Sequence, residues 1–141
     1  MKKALLTFAT ALLCTFSFAQ TIQKGSLIGI HILTPTLKEG VTMQDYTAFQ
    51  ISKVIPEIEQ AFQGVKGYIV KSVRGQDSSS VGVIYIFNNE ADRNKYWKSD
   101  GTPTEAGQAA IDKVNAKLGK EIEKYETASN APNKYNDWVI Q

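Results

Sequence analysis

The chain has 141 residues, of which 43% are hydrophobic and 21% charged, as is typical of one globular domain. Its 16 basic and 14 acidic residues give a formal net charge of +2, and two of the lysines, Lys2 and Lys3, stand at the N-terminus. The rest of the chain has no basic excess, which argues against nucleic-acid binding.

The first 19 residues have the pattern of a bacterial secretory signal. Lys2 and Lys3 precede an uncharged apolar run, and Ser17-Phe18-Ala19 places small residues before a cleavage point. A retained membrane anchor is the alternative, but the run is shorter than the ~20 residues that cross a bilayer. We therefore predict a signal peptide at 1–19 and one exported domain at 20–141, periplasmic or extracellular and free of the membrane.

Cys14 is the only cysteine in the chain. Lipid attachment to it would need a small residue immediately before it, and Leu13 stands there. Signal cleavage would remove Cys14, so the mature domain is expected to have no disulfide and no cysteine metal site.

The first predicted strand, 27–33, contains the only histidine of the chain, His31. Because strand side chains alternate, Leu27, Gly29, His31 and Leu33 are expected on one face and three isoleucines on the other. Both faces are apolar, as in a strand that is covered on both sides. Gly29 leaves space beside His31.

A helix is predicted over 43–63. Thr42 and Asp45 form a capping-box variant at its start, Gly64 is the expected stop, and Pro56 predicts a kink near 52–55. The apolar stripe that should face the core contains Tyr46, Ile51, Val54, Ile55, Ile58 and Phe62.

The remaining elements complete a β-α-β-β-α-β order. Strands are predicted at 65–74 and 81–87, joined as a hairpin, then a short helix at 90–98 and a last strand at 135–141. Between the last two, a longer helix should begin at Thr102-Pro103. Its expected buried stripe contains Gly107, Ile111, Val114, Leu118, Ile122 and Tyr125.

This order predicts an α+β, ferredoxin-like fold with a four-stranded antiparallel sheet and helices on one face. Since the strands are apolar on both faces, we expect the second face to be buried against another copy, giving a homodimer. The pattern resembles the dimeric α/β-barrel superfamily, which includes antibiotic-biosynthesis-monooxygenase-like domains. The resemblance rests on Gln63–Tyr68, where helix turns into strand, and on Ile84–Ala91, where strand runs into short helix. It assigns no subfamily.

The resemblance implies a pocket between sheet and helices, but the superfamily includes cofactor-independent oxygenases, haem-degrading enzymes, isomerases and cyclases. His31 is the candidate general base, because its charge can change near neutral pH. Tyr46, Tyr85 and Trp97 are candidate ligand-binding residues that would orient an aromatic compound. A neutral, hydrogen-bonded core histidine is the competing interpretation.

No cofactor or metal is predicted. Catalytic zinc takes three protein ligands, and the chain offers one histidine. Haem could use His31 as an axial ligand, but haem-degrading relatives place their histidine in the second helical region, where this chain has none. Tyr135 and Trp138 are further possible ligand contacts.

Three functions remain open. The first is a cofactor-independent monooxygenase-like or cyclase-like enzyme acting on a small aromatic compound. The second is a binding protein for a small hydrophobic ligand, and the third is a dimeric interaction domain. A cavity of a few hundred Å³ beside His31 would favour the first two.

Overall fold

The computed structural model describes residues 22–75, 80–127 and 134–141. The predicted signal peptide and Cys14 lie outside these residues. The strands are β1 (Leu27–Leu33), β2 (Thr36–Leu37), β3 (Val65–Lys71), β4 (Val81–Phe87), β5 (Glu126–Thr127) and β6 (Lys134–Val139). The helices are α1 (Met43–Phe49), α2 (Ile55–Ala61), α3 (Glu90–Asn94) and α4 (Glu105–Ile122). None of the helices in these ranges is long and apolar enough to cross a membrane.

Four strands form an antiparallel sheet in the order β3-β4-β1-β6. The chain leaves β1, passes through α1 and α2, and returns as β3 with β4 lying between the two strands. This split β-α-β arrangement, repeated by β4, α4 and β6, is the ferredoxin-like topology that the sequence predicts. The predicted 65–74 strand is shorter than expected and ends at Lys71.

The helical region before β3 is not one kinked helix. A five-residue π-helical segment, Gln50–Val54, separates α1 from α2. Pro56 stands in the first turn of α2 and has no amide to donate, and the Ile55 amide bonds the Gln50 carbonyl five residues back. The irregularity therefore lies where the proline predicted it, but in a different form.

The π-helical segment changes which side chains face the core. Ile51, predicted in the buried stripe, is 55% exposed, and this prediction is wrong. Phe49 and Gln50 are buried instead, and Val54, predicted in the stripe, is buried as expected. A π segment inserts an extra residue into the helical repeat, so the apolar periodicity does not run through it unchanged.

The start of α4 and the end of α3 also differ from expectation. Thr104, not Thr102, caps α4, because its hydroxyl accepts from the Gly107 amide at 3.1 Å and donates to the Lys95 carbonyl at 2.6 Å. The short helix ends at Asn94, so Trp97 lies beyond it and pairs with Pro103 in an isolated bridge.

The helices cover the sheet face that carries His31. Leu27, Val65 and Phe87, one from each of three strands, form a buried cluster with Ala110 of α4 and with Phe62, which directly follows α2. A second cluster lies between the helices and consists of Phe49, Val54, Val114 and Leu118. Alternation therefore directs His31 towards the helices.

An additional two-stranded sheet, β2 with β5, was not expected from the sequence. Thr36 pairs with Thr127, and Leu37 pairs with Glu126. Strands of two residues carry no periodicity that a sequence pattern could reveal.

Candidate functional site

The strand register gathers polar side chains around His31. On the two neighbours of β1, Val83 and Tyr135 lie opposite His31, while Tyr85 and Asp137 lie opposite Gly29. Residues opposite one another in an antiparallel sheet share a face. Tyr85, Tyr135 and Asp137 therefore lie on the same helix-facing side as His31.

Two tyrosine rings flank the imidazole of His31. The Tyr135 ring is stacked on it at 5.4 Å between centroids, and the Tyr85 ring meets it edge-on at 5.4 Å. Ring contacts of this kind limit the rotation of the imidazole. Such contacts are compatible with a structural core histidine and equally with a general base that is held in one orientation.

A carboxylate approaches the same space from β6. A side chain placed on Gly29 would put its Cβ 3.0 Å from Asp137 Oδ1 and 3.9 Å from His31 Nε2. The absence of a side chain on Gly29 thus leaves a small space that a carboxylate oxygen and an imidazole nitrogen both border.

Arg93 of α3 holds Asp137 in place. Its Nε and Nη2 both donate to Asp137 Oδ2, at 2.7 and 2.5 Å. Only 17% of the Arg93 side chain and 22% of the Asp137 side chain are exposed. Because Arg93 uses Oδ2, the second oxygen, Oδ1, is the one that faces Gly29.

The loop before α4 closes the end of the site. Gly101 has φ 81°, and a Cβ there would collide with the Tyr135 hydroxyl. Only glycine combines this backbone conformation with such a close approach.

Two cavities have Tyr85 and Trp97 in common in their walls. The first, about 90 Å³, contains His31, Gly29, Arg93, Asp137 and Tyr135 in its walls. The second, about 240 Å³, lies between helices and sheet. Its other walls are Ile58, Phe62, Val65, Ile111, Val114 and Asn115. A larger depression of about 610 Å³ between α1 and β3 has none of the predicted site residues in its walls.

The cavity beside His31 is smaller than the few hundred Å³ expected of a site for a small molecule. The second cavity brings the combined space to the lower end of that range, roughly 300 Å³. The smaller cavity alone has room for little more than a single functional group.

Tyr85 and Trp97, two of the predicted ligand-binding residues, line both cavities. The Trp97 ring is stacked on Phe62 at 5.0 Å, which fixes it against α2. Burial raises the pKa of the Tyr85 hydroxyl to about 12, so this group is a hydrogen-bond donor throughout the neutral range.

Tyr46, the third predicted ligand-binding residue, lines neither of these cavities. It is 3% exposed, and its hydroxyl hydrogen-bonds Glu126 and Gln50. Burial raises the pKa of Tyr46 well above its ordinary value, and the Glu126 charge adds to this effect. Tyr46 therefore joins α1 to β5 and does not bound the space beside His31.

Arg93 and Asp137 were missed by the sequence analysis. Alternation along β6 would have placed Tyr135 and Asp137 on one face and Trp138 on the other, which is the available signal. Their position beside His31 depends on strand register, which the sequence alone did not give. Among the residues that the structure describes, no group of three or more histidine, cysteine or acidic side chains could hold a metal ion.

Comparison with known proteins identifies no family. No family model matches the chain, and no curated protein does. The chain is similar to a solved structure from Bacteroides fragilis, described as a dimeric protein of unknown function with a ferredoxin-like fold. The match covers 83% of this chain and 98% of that chain, at 13% identity and a TM-score of 0.37.

Proposed function

We propose that this protein is an exported enzyme that acts on a small hydroxylated aromatic compound, with His31 as its general base. The observation that carries the proposal is the position of His31 in a cavity walled by Tyr85, Tyr135 and the Arg93–Asp137 pair. A histidine, a carboxylate and a tyrosine hydroxyl in one partly apolar space are groups that proton abstraction can use.

The reaction is of the cofactor-independent monooxygenase type. His31 removes a proton from an acidic phenol or from an activated CH₂ between aromatic rings. Tyr85 donates a hydrogen bond to the oxygen on which negative charge then develops. The carbanion reduces dioxygen, so that CH₂ and O₂ become C=O and water. A cyclase-like reaction would use the same proton transfer without dioxygen.

Oxygen uptake and product analysis with a panel of hydroquinones and anthrones test this function. His31→Ala should lower turnover by about 10²-fold or more, since general-base catalysis contributes 10²–10⁴-fold. Tyr68→Phe is the matched control, because Tyr68 lies on the opposite sheet face and loses one hydroxyl only. Unchanged turnover in a folded His31→Ala variant would refute His31 as the base.

A non-catalytic binding protein is the second candidate. It is favoured by the packing of His31 between two tyrosine rings, as in a structural histidine. A binding protein would retain a compound that co-purifies with it, and incubation under oxygen would leave that compound unchanged.

We also propose that the sheet pairs with a second copy through the face opposite His31. Tyr68 and Trp138 are 50% and 60% exposed, and alternation places them on that face with Ile28, Ile30 and Ile84. Large exposed aromatic side chains beside aliphatic ones mark an interaction surface. The pairing would make a dimeric α/β barrel and leave the His31 side of each sheet to its own helices.

A further inference from the structure

The two cavities that share Tyr85 and Trp97 differ in chemistry. Around the smaller one stand His31, Arg93 and Asp137, whereas the walls of the larger one, apart from the shared Tyr85 and Trp97, have Asn115 as their one polar side chain. A molecule that used both would meet hydrogen-bonding groups at one end and hydrocarbon at the other. We propose that they form one two-part site for a neutral amphiphile with a hydroxyl head and an apolar body. This inference rests on the proposed small-molecule function and specifies its ligand.

The head of the ligand is a hydroxyl because of the groups around Gly29. Asp137 Oδ1 is an acceptor, and Arg93 already occupies the other carboxylate oxygen. His31 Nε2 borders the same space, and an imidazole nitrogen can donate or accept a hydrogen bond. A hydroxyl can donate to Asp137 Oδ1 while its oxygen lies beside the His31 ring.

The head is neutral because the charges at this end are already balanced. Arg93 and Asp137 neutralise each other through two hydrogen bonds. An added carboxylate would be repelled by the Asp137 carboxylate. An ether or ester oxygen cannot donate a hydrogen bond. It would place a second acceptor against Asp137 Oδ1, and that carboxylate oxygen would then have no donor from the ligand.

The body of the ligand is apolar and short. The larger cavity has aliphatic walls from α2, β3 and α4, namely Ile58, Val65, Ile111 and Val114. Its volume of about 240 Å³ would hold a chain of several carbons or one ring. Asn115 is exposed on α4 and also lines this cavity, so the apolar end reaches the protein surface there.

Binding can be followed through Trp97. The chain has two tryptophans, and Trp138 lies on the opposite sheet face. In a Trp138→Phe background, Trp97 is the only tryptophan and borders both cavities. Its fluorescence should therefore respond to any ligand that spans them.

The probes are 4-alkylphenols, from phenol to 4-hexylphenol. The matching 4-alkylanisoles are the controls, because a methoxy group cannot donate a hydrogen bond. Affinity should rise roughly fourfold per methylene while the chain is entering the larger cavity, then level off. Each anisole should bind at least about tenfold more weakly than its phenol. Equal binding of phenols and anisoles would overturn the hydroxyl head.

Two filling variants separate the two ends of the site. Val114→Phe should abolish the gain with chain length and leave phenol itself bound. Gly29→Ala should weaken phenols and anisoles to a common low affinity while the chain-length gain persists. Ile111→Phe is the second variant for the apolar end if Val114→Phe does not fold.

A chain-length gain that survives in a folded filling variant of the larger cavity would overturn the apolar half of the proposal. No response of Trp97 to any probe would overturn the two-part site. These results are independent of catalysis, because equilibrium binding is measured without turnover. If His31→Ala keeps its turnover while the alkylphenol pattern holds, the proposed base fails and the two-part site stands.

Discussion

At the scale of single residues, the candidate site depends on two glycines. Gly29 leaves a space that Asp137 Oδ1 and His31 Nε2 border, and Gly101 admits the Tyr135 hydroxyl. Because Tyr135 is stacked on His31, the contact at Gly101 also helps to fix the imidazole. The chemistry attributed to His31 therefore also depends on two glycines, which have no side-chain functional group.

Gly101→Ala should destabilise the protein for two separable reasons. Gly40 has nearly the same φ, 80° against 81°, but a Cβ there would meet no atom within 4 Å. Gly40→Ala should therefore cost about 1 kcal/mol in unfolding free energy from backbone strain alone. Gly101→Ala should cost about 1–3 kcal/mol more because of the collision with Tyr135.

Urea denaturation measures both costs, and Tyr135→Phe provides the cross-check. Removing the hydroxyl should recover part of the excess cost in the Gly101→Ala/Tyr135→Phe double variant. Equal destabilisation by Gly40→Ala and Gly101→Ala would show that the Tyr135 contact has no energetic consequence.

At the scale of elements, α1 and β5 are joined through Tyr46 and Glu126. Burial raises the pKa of the Glu126 carboxyl in the folded protein, and the hydrogen bond from Tyr46 partly opposes this effect. With the folded pKa above the unfolded one, the unfolded chain loses its proton first as the pH rises. Glu126 therefore lowers stability progressively as the pH rises from about 4.5, the ordinary pKa of its carboxyl, through the folded pKa.

Glu126→Gln should remove that part of the pH dependence. Thermal unfolding between pH 4 and pH 7 should show a smaller loss of stability in the variant than in the wild-type protein. Tyr46→Phe removes the hydrogen bond that lowers the pKa of Glu126, so the decline should extend to higher pH. A Glu126→Gln profile parallel to that of the wild type would contradict the assignment.

Elements with a regular local pattern could be predicted from the sequence, and those fixed by distant contacts could not. The alternation in 27–33 and 81–87 gives both strands and the face of His31. Pro56 predicts a disruption but not its π-helical form, which depends on the contacts of the residues on either side. The same contrast holds for the candidate site. His31 and Gly29 lie on one strand, so alternation places them together. Asp137 reaches them only through the pairing of β1 with β6, about a hundred residues later in the chain.

At the scale of the whole molecule, the two sheet faces have separate roles in this account. One face carries the cavities under the helices, and the other presents Tyr68 and Trp138 outward. If that second face pairs with another copy, disrupting it should leave the His31 side of each subunit intact.

Ile30→Lys should convert a dimer to a monomer, because it introduces a charge on the paired face that burial would desolvate. Size-exclusion chromatography with light scattering at micromolar concentration measures the change. Val73→Lys is the control, since Val73 is 90% exposed at the end of the β3 region and should not alter assembly. A wild-type protein that is a stable monomer would contradict the sheet pairing.

The most direct test of the central claim uses the fact that His31 is the only histidine in the chain. In protein without an added histidine tag, the imidazole carbon-bound protons give one set of NMR signals that needs no further assignment. Addition of 4-hexylphenol to saturation should shift these signals, and the same addition to Gly29→Ala should shift them much less. His31 signals that stay unchanged while the ligand binds elsewhere would contradict a ligand site at His31.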